Sequence, residues 1–161
     1  GALVTAPVPT STGNLLTINQ TLPRAIIDWN TFNIGSGSEV RFVQPSASSA
    51  ALNRIFGLDP SIIQGRLTAN GQVYLLNQNG ILFDRGSQVN VSTLVASTLN
   101  ITNERFLSTV AGTDFLTPTF EGTVPGSFIQ IGVHGDPNAP PASITAQPGG
   151  AILMFAPRIE N

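Results

Sequence analysis

Gly65-Arg66-Leu67-Thr68-Ala69-Asn70-Gly71-Gln72-Val73-Tyr74-Leu75-Leu76-Asn77-Gln78-Asn79-Gly80-Ile81-Leu82-Phe83-Asp84-Arg85-Gly86 is the stretch that decides the fold. Short apolar runs are separated by Gly or Asn before any of them grows long. Leu67 and Ala69 lead to Asn70-Gly71. Val73 to Leu76 lead to Asn77-Gln78-Asn79-Gly80, and Ile81 to Phe83 lead to Asp84-Arg85-Gly86. Gly and Asn punctuate strands because they accept turn dihedrals that other residues resist. Three short strands and three turns therefore repeat over roughly 20 residues, the length of one coil of a parallel β-solenoid.

The same texture extends outward. Upstream, Ile62-Ile63 belongs to it; downstream, so do Val89, Val91, Leu94, Val95, Leu99 and Ile101. It returns in Phe128–Val133, Ala142–Ala146 and Ile152–Pro157. Coils are expected over residues 46–101 and 127–161, with core candidates Val73, Leu75, Ile81, Phe83, Val89, Val91, Ile152 and Leu153. Residues 102–126 break the rhythm and read as an excursion outside the helix, a hairpin on Phe115–Leu116 and Thr119–Phe120. Residues 15–45 read as an N-terminal β cap, and the Pro/Thr/Ser/Gly-rich residues 1–14 as an irregular entry. Ser46–Phe56 is the one stretch that reads as a turn of helix or a polar loop, closed by Gly57 and Pro60. An antiparallel sandwich remains the alternative. Asn70-Gly71 and Asn79-Gly80 suit type I′ hairpins as well as solenoid corners, where left-handed dihedrals are expected.

Composition narrows the function. The chain has 161 residues, room for one domain. Its 7 basic residues are all Arg, its acidic residues number 9, and the charged fraction is 10%, against about 25% in typical domains. A net charge of −2 argues against a nucleic-acid partner. There are 16 Thr, 13 Ser and 13 Asn but no Cys, so no disulfide framework or thiolate chemistry is available. This balance fits a chain that crosses membranes unfolded. No apolar run approaches the length of a membrane-spanning helix, and no stable insertion is expected. The opening Gly1-Ala2-Leu3 lacks a signal peptide, so the chain is either cytosolic or already processed; composition favours the second.

Enzymatic chemistry finds little to stand on. The one His, His134, sits in a Gly-Val-His-Gly-Asp-Pro loop and reads as solvated. No second His or Cys completes a metal site, and no Gly-x-Ser-x-Gly elbow accompanies His134 and Asp136. Asp28, Asp59, Asp84, Asp114 and Asp136 are scattered, which weighs against paired carboxylates, although such groups could still meet in space. Neither metal nor cofactor is expected. Arg54, alone in an uncharged segment, reads equally as a partner-binding guanidinium, a loop anchor or a surface charge.

From residue 50 onward the order of motifs resembles the filamentous haemagglutinin-type N-terminal domain, the two-partner secretion (TPS) domain. The resemblance rests on Ala51-Leu52-Asn53-Arg54-Ile55, on Asp59-Pro60-Ser61 through Phe83, and on Gln88-Val89-Asn90-Val91 with Leu94-Val95-Ala96-Ser97-Thr98. Ala25–Gly35 and Gly149–Asn161 fit the same pattern, so nearly the whole chain is covered. The resemblance implies an all-β, right-handed parallel β-helix. It implies a fragment of a longer exoprotein, secreted through the periplasm to the surface of a Gram-negative bacterium. The implied partner is a TpsB-type, Omp85-class outer-membrane transporter, met through its POTRA domains. The implied role is targeting to that transporter and nucleation of β-helix folding outside, with the chain a monomer and not an enzyme. Host receptors would be reached through the parent protein. A module binding host glycans or glycoproteins is the alternative, and a carbohydrate-active β-helix enzyme a third.

Two departures from the family pattern matter. The family's Asn-Pro-Asn-Gly-Ile segment is Asn77-Gln78-Asn79-Gly80-Ile81 here, so Gln78 replaces a residue of fixed φ. One subgroup's Asn-Pro-Asn-Leu is absent; its place holds a segment ending in Asn53-Arg54-Ile55, similar to the adhesin-type subgroup. Asn53, Arg54, Asn77, Gln78, Asn79, Gly80 and Ile81 are the candidate residues, acting either through corner structure or through partner recognition.

Overall fold

The computed structural model describes residues 1–108, 120–122 and 124–161. Two short strands open the chain, β1 (Ala2–Val4) and β2 (Val8–Pro9). The first coil follows as β3 (Asn14–Gln20) and β4 (Arg24–Trp29), the second as β5 (Glu39–Val43), β6 (Ala50–Ile55) and β7 (Ser61–Ile63). The third is β8 (Arg66–Ala69), β9 (Gln72–Asn77) and β10 (Ile81–Phe83). The fourth is β11 (Gln88–Val91) and β12 (Thr93–Ser97), then helix α1 (Asn103–Ser108), then β13 (Phe128–Ile131). The fifth is β14 (Ser143–Ala146), β15 (Ile152–Phe155) and β16 (Arg158–Glu160).

Each strand pairs in parallel with its counterpart one coil away. The first sheet stacks β3-β5-β8-β11-β14, the second β4-β6-β9-β12-β15 and the third β7-β10-β13-β16. Gln72 pairs with Ala50 below and Thr93 above, so the chain returns to the same place after roughly 20 residues. This is the expected parallel β-helix. The sandwich fails at its own signal: Asn70-Gly71 joins β8 to β9 and Asn79-Gly80 precedes β10, and in both cases the strands belong to different sheets.

Alternate side chains point inward and stack. Val40, Leu67 and Val89 form one column, Ala51, Val73 and Leu94 another, and Ile63 and Phe83 a third. Burying one such side chain is worth about 1.5–3 kcal/mol. A second core lies outside the helix. Leu52, Tyr74, Leu76 and Val95 face outward from the second sheet and are covered by Ile101 and by Phe106 of α1. Thr102 starts that helix, its Oγ1 accepting from the Arg105 amide at 3.3 Å. Tyr74 and Phe106 meet edge to face at 5.3 Å, and the Arg24 guanidinium lies over the Phe106 ring.

Several expectations need correcting. Residues 50–55, read as helix or loop, form β6, buried on both faces and so without alternation. Residues 1–14 are not an irregular entry: β1 and β2 pair antiparallel with β3 and supply the cap. Residues 15–45, expected as the cap, instead form the first coil and β5, because β3 pairs in parallel with β5 and β4 with β6. The excursion holds α1 and an Asn100–Glu121 bridge; Phe115, Leu116 and Thr119 of the expected hairpin lie outside the described residues. Ile152 keeps register with inward Leu94 yet is 40% exposed, since among the described residues no strand covers β15 on its far side. Leu153 faces the second core rather than the first. Among the described residues no Asn has positive φ, so Asn corners here work through side-chain bonds and not through left-handed backbone.

Candidate functional site

The β9–β10 corner is built from amide groups. Asn77 ends β9 fully buried, and its Nδ2 donates to the Asp59 carbonyl and to Ser61 Oγ, both at 3.0 Å. Its Oδ1 accepts from the Asn79 amide at 2.9 Å, closing an Asx turn. Asn79 Nδ2 donates to the Gly57 carbonyl at 2.7 Å. The third coil's corner is thereby tied to the second coil's corner at three points. Gly80 closes the turn, its amide donating to the Asn77 carbonyl at 3.1 Å with φ of 122°. A Cβ there would also come within 3.1 Å of the Phe128 carbonyl in the next coil. Ile81 then points into the core between Ser61 and Ile129.

Asn53 and Arg54 sit one coil below, on β6, with Ile55 in register with Asn77. Asn53 is fully buried. It accepts from Trp29 Nε1 at 3.0 Å and donates to the Tyr74 carbonyl at 3.2 Å, so it links three coils. Arg54 points out. Its Nε and Nη2 grip both oxygens of Asp28 at 2.9 and 3.2 Å, and its guanidinium lies over the exposed Phe56 ring. Gln78 is exposed. Of the seven candidates, then, Arg54 and Gln78 present polar groups outward. Together with Phe56, Leu76, Leu99 and Asn100 they line one shallow depression.

An equivalent amide cluster at the corner between the first and second sheets escaped the sequence reading. Gln44 Nε2 donates to Gln20 Oε1 at 2.9 Å and to the Ser49 and Gln72 carbonyls. Its Oε1 accepts from the Gly71 amide at 2.9 Å. Asn70 pairs with the Gln44 backbone through both side-chain atoms, at 2.7 and 2.8 Å. The only signal in the sequence was the recurrence of Gln20, Gln44 and Asn70 at coil spacing.

Of the residues read for catalysis, Asp114 lies outside the described residues. His134 is exposed and only its carbonyl is used, by the Arg85 amide. Asp136 accepts from the Asn138 amide in its own turn, and Asp84 accepts from Gln64 Nε2. Among the described residues no three His, Cys, Asp or Glu gather as metal ligands. No helix among them is long and apolar enough to cross a membrane.

The outer face of the first sheet carries two polar columns. Glu39, Arg66, Gln88 and Ser143 share one register. Arg41, Thr68, Asn90 and Thr145 share the next. Burial pushes the Glu39 carboxyl up, but hydrogen bonds from Arg41 and Thr68 and the charges of Arg41 and Arg66 outweigh it. Its pKa lies below the ordinary glutamate value.

A family model described as the TPS secretion domain matches residues 2–149. Two heme/hemopexin-binding proteins of Haemophilus influenzae are similar to the chain. One is 49% identical over 89 residues and the other 43% over 97, covering 55% and 60% of this chain. The aligned parts are 10% of each relative's length. The crystal structure of the HMW1 secretion domain from Haemophilus influenzae superposes with a TM-score of 0.61 at 29% identity. That superposition covers 81% of this chain and 34% of the other.

Proposed function

The chain belongs to the TPS secretion domain family, and from that premise we propose that it directs a large exoprotein to a TpsB-type, Omp85-class transporter and nucleates β-helix folding at the cell surface. Recognition takes place in the periplasm of a Gram-negative bacterium, after signal-peptide removal, through the transporter's POTRA domains. The part played is that of an address and a folding template, not of an enzyme.

The observation that carries this reading is the asymmetry of the stack. One end is closed by β1 and β2. At the other, β14, β15 and β16 have one edge unpaired among the described residues, with Ile152 40% and Ile159 47% exposed. A coil laid on that edge would complete three parallel ladders and cover both isoleucines. In a solenoid, stability adds coil by coil through nearest-neighbour terms, so a preformed stack lowers the barrier to the next coil. Folding outside then biases passage forward without ATP.

The two Haemophilus relatives are named for binding heme and hemopexin, over proteins about ten times longer than the matched part. We infer that any such activity of a parent protein resides outside these residues. Haem iron is held by His, Cys, Met or Tyr. Here His134 is exposed in a loop, Tyr74 is buried in the second core, and Met154 packs on the first.

The test is secretion of a parent exoprotein from cells carrying its transporter. Removing residues 1–161 should leave the exoprotein in the periplasm. Arg54→Ala and Gln78→Ala should both lower export and POTRA affinity, and Gln78→Ala, at the exposed position, should do so with the melting temperature unchanged. Full export without residues 1–161 would overturn the reading.

A further inference from the structure

We propose that Asn70-Gly71 and Asn79-Gly80 are sites of spontaneous deamidation that folding closes, so that the domain is chemically perishable only while it is unfolded. This inference stands independently of the secretion reading. Of the 13 Asn in the chain, these two alone precede Gly. Without a Cβ, a Gly backbone nitrogen is unhindered and can reach back to the side chain before it. In that step the Gly nitrogen loses its proton and bonds to the Asn Cγ, and the Cγ–Nδ2 bond breaks. Ammonia leaves with the proton, and a five-membered succinimide remains. Water then opens the ring at either carbonyl to give Asp or iso-aspartate, with nothing oxidised or reduced. The corners themselves impose this reactive pair. A Cβ at Gly71 would come within 2.6 Å of both the Ser49 carbonyl and Gln44 Oε1, and Gly80 has a φ of 122°.

In the folded chain every reacting group is held elsewhere. At Asn70 one residue does all of it. Asn70 Oδ1 accepts from the Gln44 amide at 2.7 Å, and Nδ2 donates to the Gln44 carbonyl at 2.8 Å. The Gly71 amide donates to Gln44 Oε1 at 2.9 Å. The carbon to be attacked is thus pinned to the neighbouring coil. The proton that must leave first is covered by an amide oxygen, which is too weak a base to take it. Asn70 is exposed, so these bonds protect it and burial does not. At the other corner Asn79 Nδ2 donates to the Gly57 carbonyl at 2.7 Å and to Asn77 Oδ1 at 3.2 Å. The buried Gly80 amide donates to the Asn77 carbonyl at 3.1 Å.

A modified chain cannot rebuild these corners. A carboxylate has no N–H to give, so at position 70 an acceptor would face the Gln44 carbonyl, and at position 79 the Gly57 carbonyl. Iso-aspartate also lengthens the main chain by one methylene. Asn70-Gly71 joins β8 to β9, and each of those strands is paired on both sides. Added length there sets the two ladders out of step with the coils around them. A chain kept waiting unfolded therefore loses its capacity to form the stack.

The chain would be incubated at mildly alkaline pH, once folded and once in guanidinium chloride, and its peptides scored for deamidation by mass spectrometry. The unfolded chain should react at Asn70 and Asn79 ahead of the other Asn. Folding should slow both sites by at least about a hundredfold, because reaction then waits on the rare opening of the corner. Gln44→Ala uncovers the Gly71 amide while leaving the two backbone bonds to Asn70. It should speed Asn70 by about tenfold, the worth of one hydrogen bond, with Asn79 in the same molecules still protected. Chains aged unfolded and returned to native buffer should lose the parent's melting transition in proportion to the modified fraction. The comparison of folded with unfolded parent chain needs no variant. The proposal is overturned if either site reacts as fast folded as unfolded, if Gln44→Ala speeds both sites alike, or if modified chains refold to the parent's melting temperature.

Discussion

Replacing Asn77 with Ala should destabilise the domain by about 2–4 kcal/mol. The magnitude follows from what the side chain does. It donates to the Asp59 carbonyl and to Ser61 Oγ and accepts from the Asn79 amide, all within 3.0 Å. Asn77 and Ser61 are both fully buried, so water cannot fill in freely for what is lost. Each net bond is worth about 0.5–1.5 kcal/mol, and a buried group left without a partner costs about 1–3 kcal/mol. At about 2–4 °C per kcal/mol for a chain of this size, the melting temperature should fall by roughly 5–15 °C. Circular dichroism melts of Asn77→Ala, beside Gln78→Ala as the exposed neighbour, measure this directly. Gln78→Ala should stay within about 0.5 kcal/mol of the parent. POTRA affinity would be measured in the same preparations. A melting temperature unchanged in Asn77→Ala, together with weakened POTRA binding, would refute the structural argument and make the corner a recognition motif.

Other outcomes follow from the same geometry. Val91→Asp buries an unpaired carboxylate where Val91 is fully enclosed, so stability should drop by several kcal/mol; an unchanged urea midpoint would contradict the core assignment. Gln78→Pro should stabilise by about 0.4–1 kcal/mol, because Gln78 follows Asn77 at the second turn position, where Pro is favoured, and strand residue Asn77 already has the extended backbone that precedes Pro; a lower melting temperature would show that its amide is needed. Glu39 has a folded pKa below its ordinary value, so its contribution is present above that value and is lost as pH falls through the folded one. Urea midpoints in acid should therefore fall less steeply for Glu39→Gln than for the parent chain, and parallel slopes would sink the assignment.

The coils were legible where one face is buried and one wet. In β8 and β11, Leu67, Ala69, Val89 and Val91 alternate with Arg66, Thr68, Gln88 and Asn90, which is the period-2 signal itself. In β6 the signal vanishes because the second core covers its outer face, leaving Ala50-Ala51-Leu52-Asn53 with no polar alternation. Helix α1 escaped because one turn and a half held by Phe106 depends on the sheet beneath it more than on its own residues. The cap escaped for a related reason: β1 and β2 are exposed, and only β3 makes them strands. At the site, residue types pointed to a tight corner, but not to the partners of Asn53 in the coils directly below and above it. Gln44 went unnoticed because nothing nearby in the sequence marks a bond to Gln20 or Gly71.

The base of the excursion is pinched shut. Asn100 and Glu121 exchange backbone bonds at 2.9 and 2.7 Å, and Ser127 Oγ donates to Thr98 Oγ1 at 3.0 Å. The stack therefore feels the two ends of this segment at a fixed separation, whatever its length. Closing a flexible loop becomes harder by only about 0.6 kcal/mol for each doubling of its length. The junction is thus a grafting port: an epitope, a tag or a whole small domain added between Asn100 and Glu121 would leave these bonds in place. The coils above and below would keep their register, provided that Phe106 stays on Tyr74.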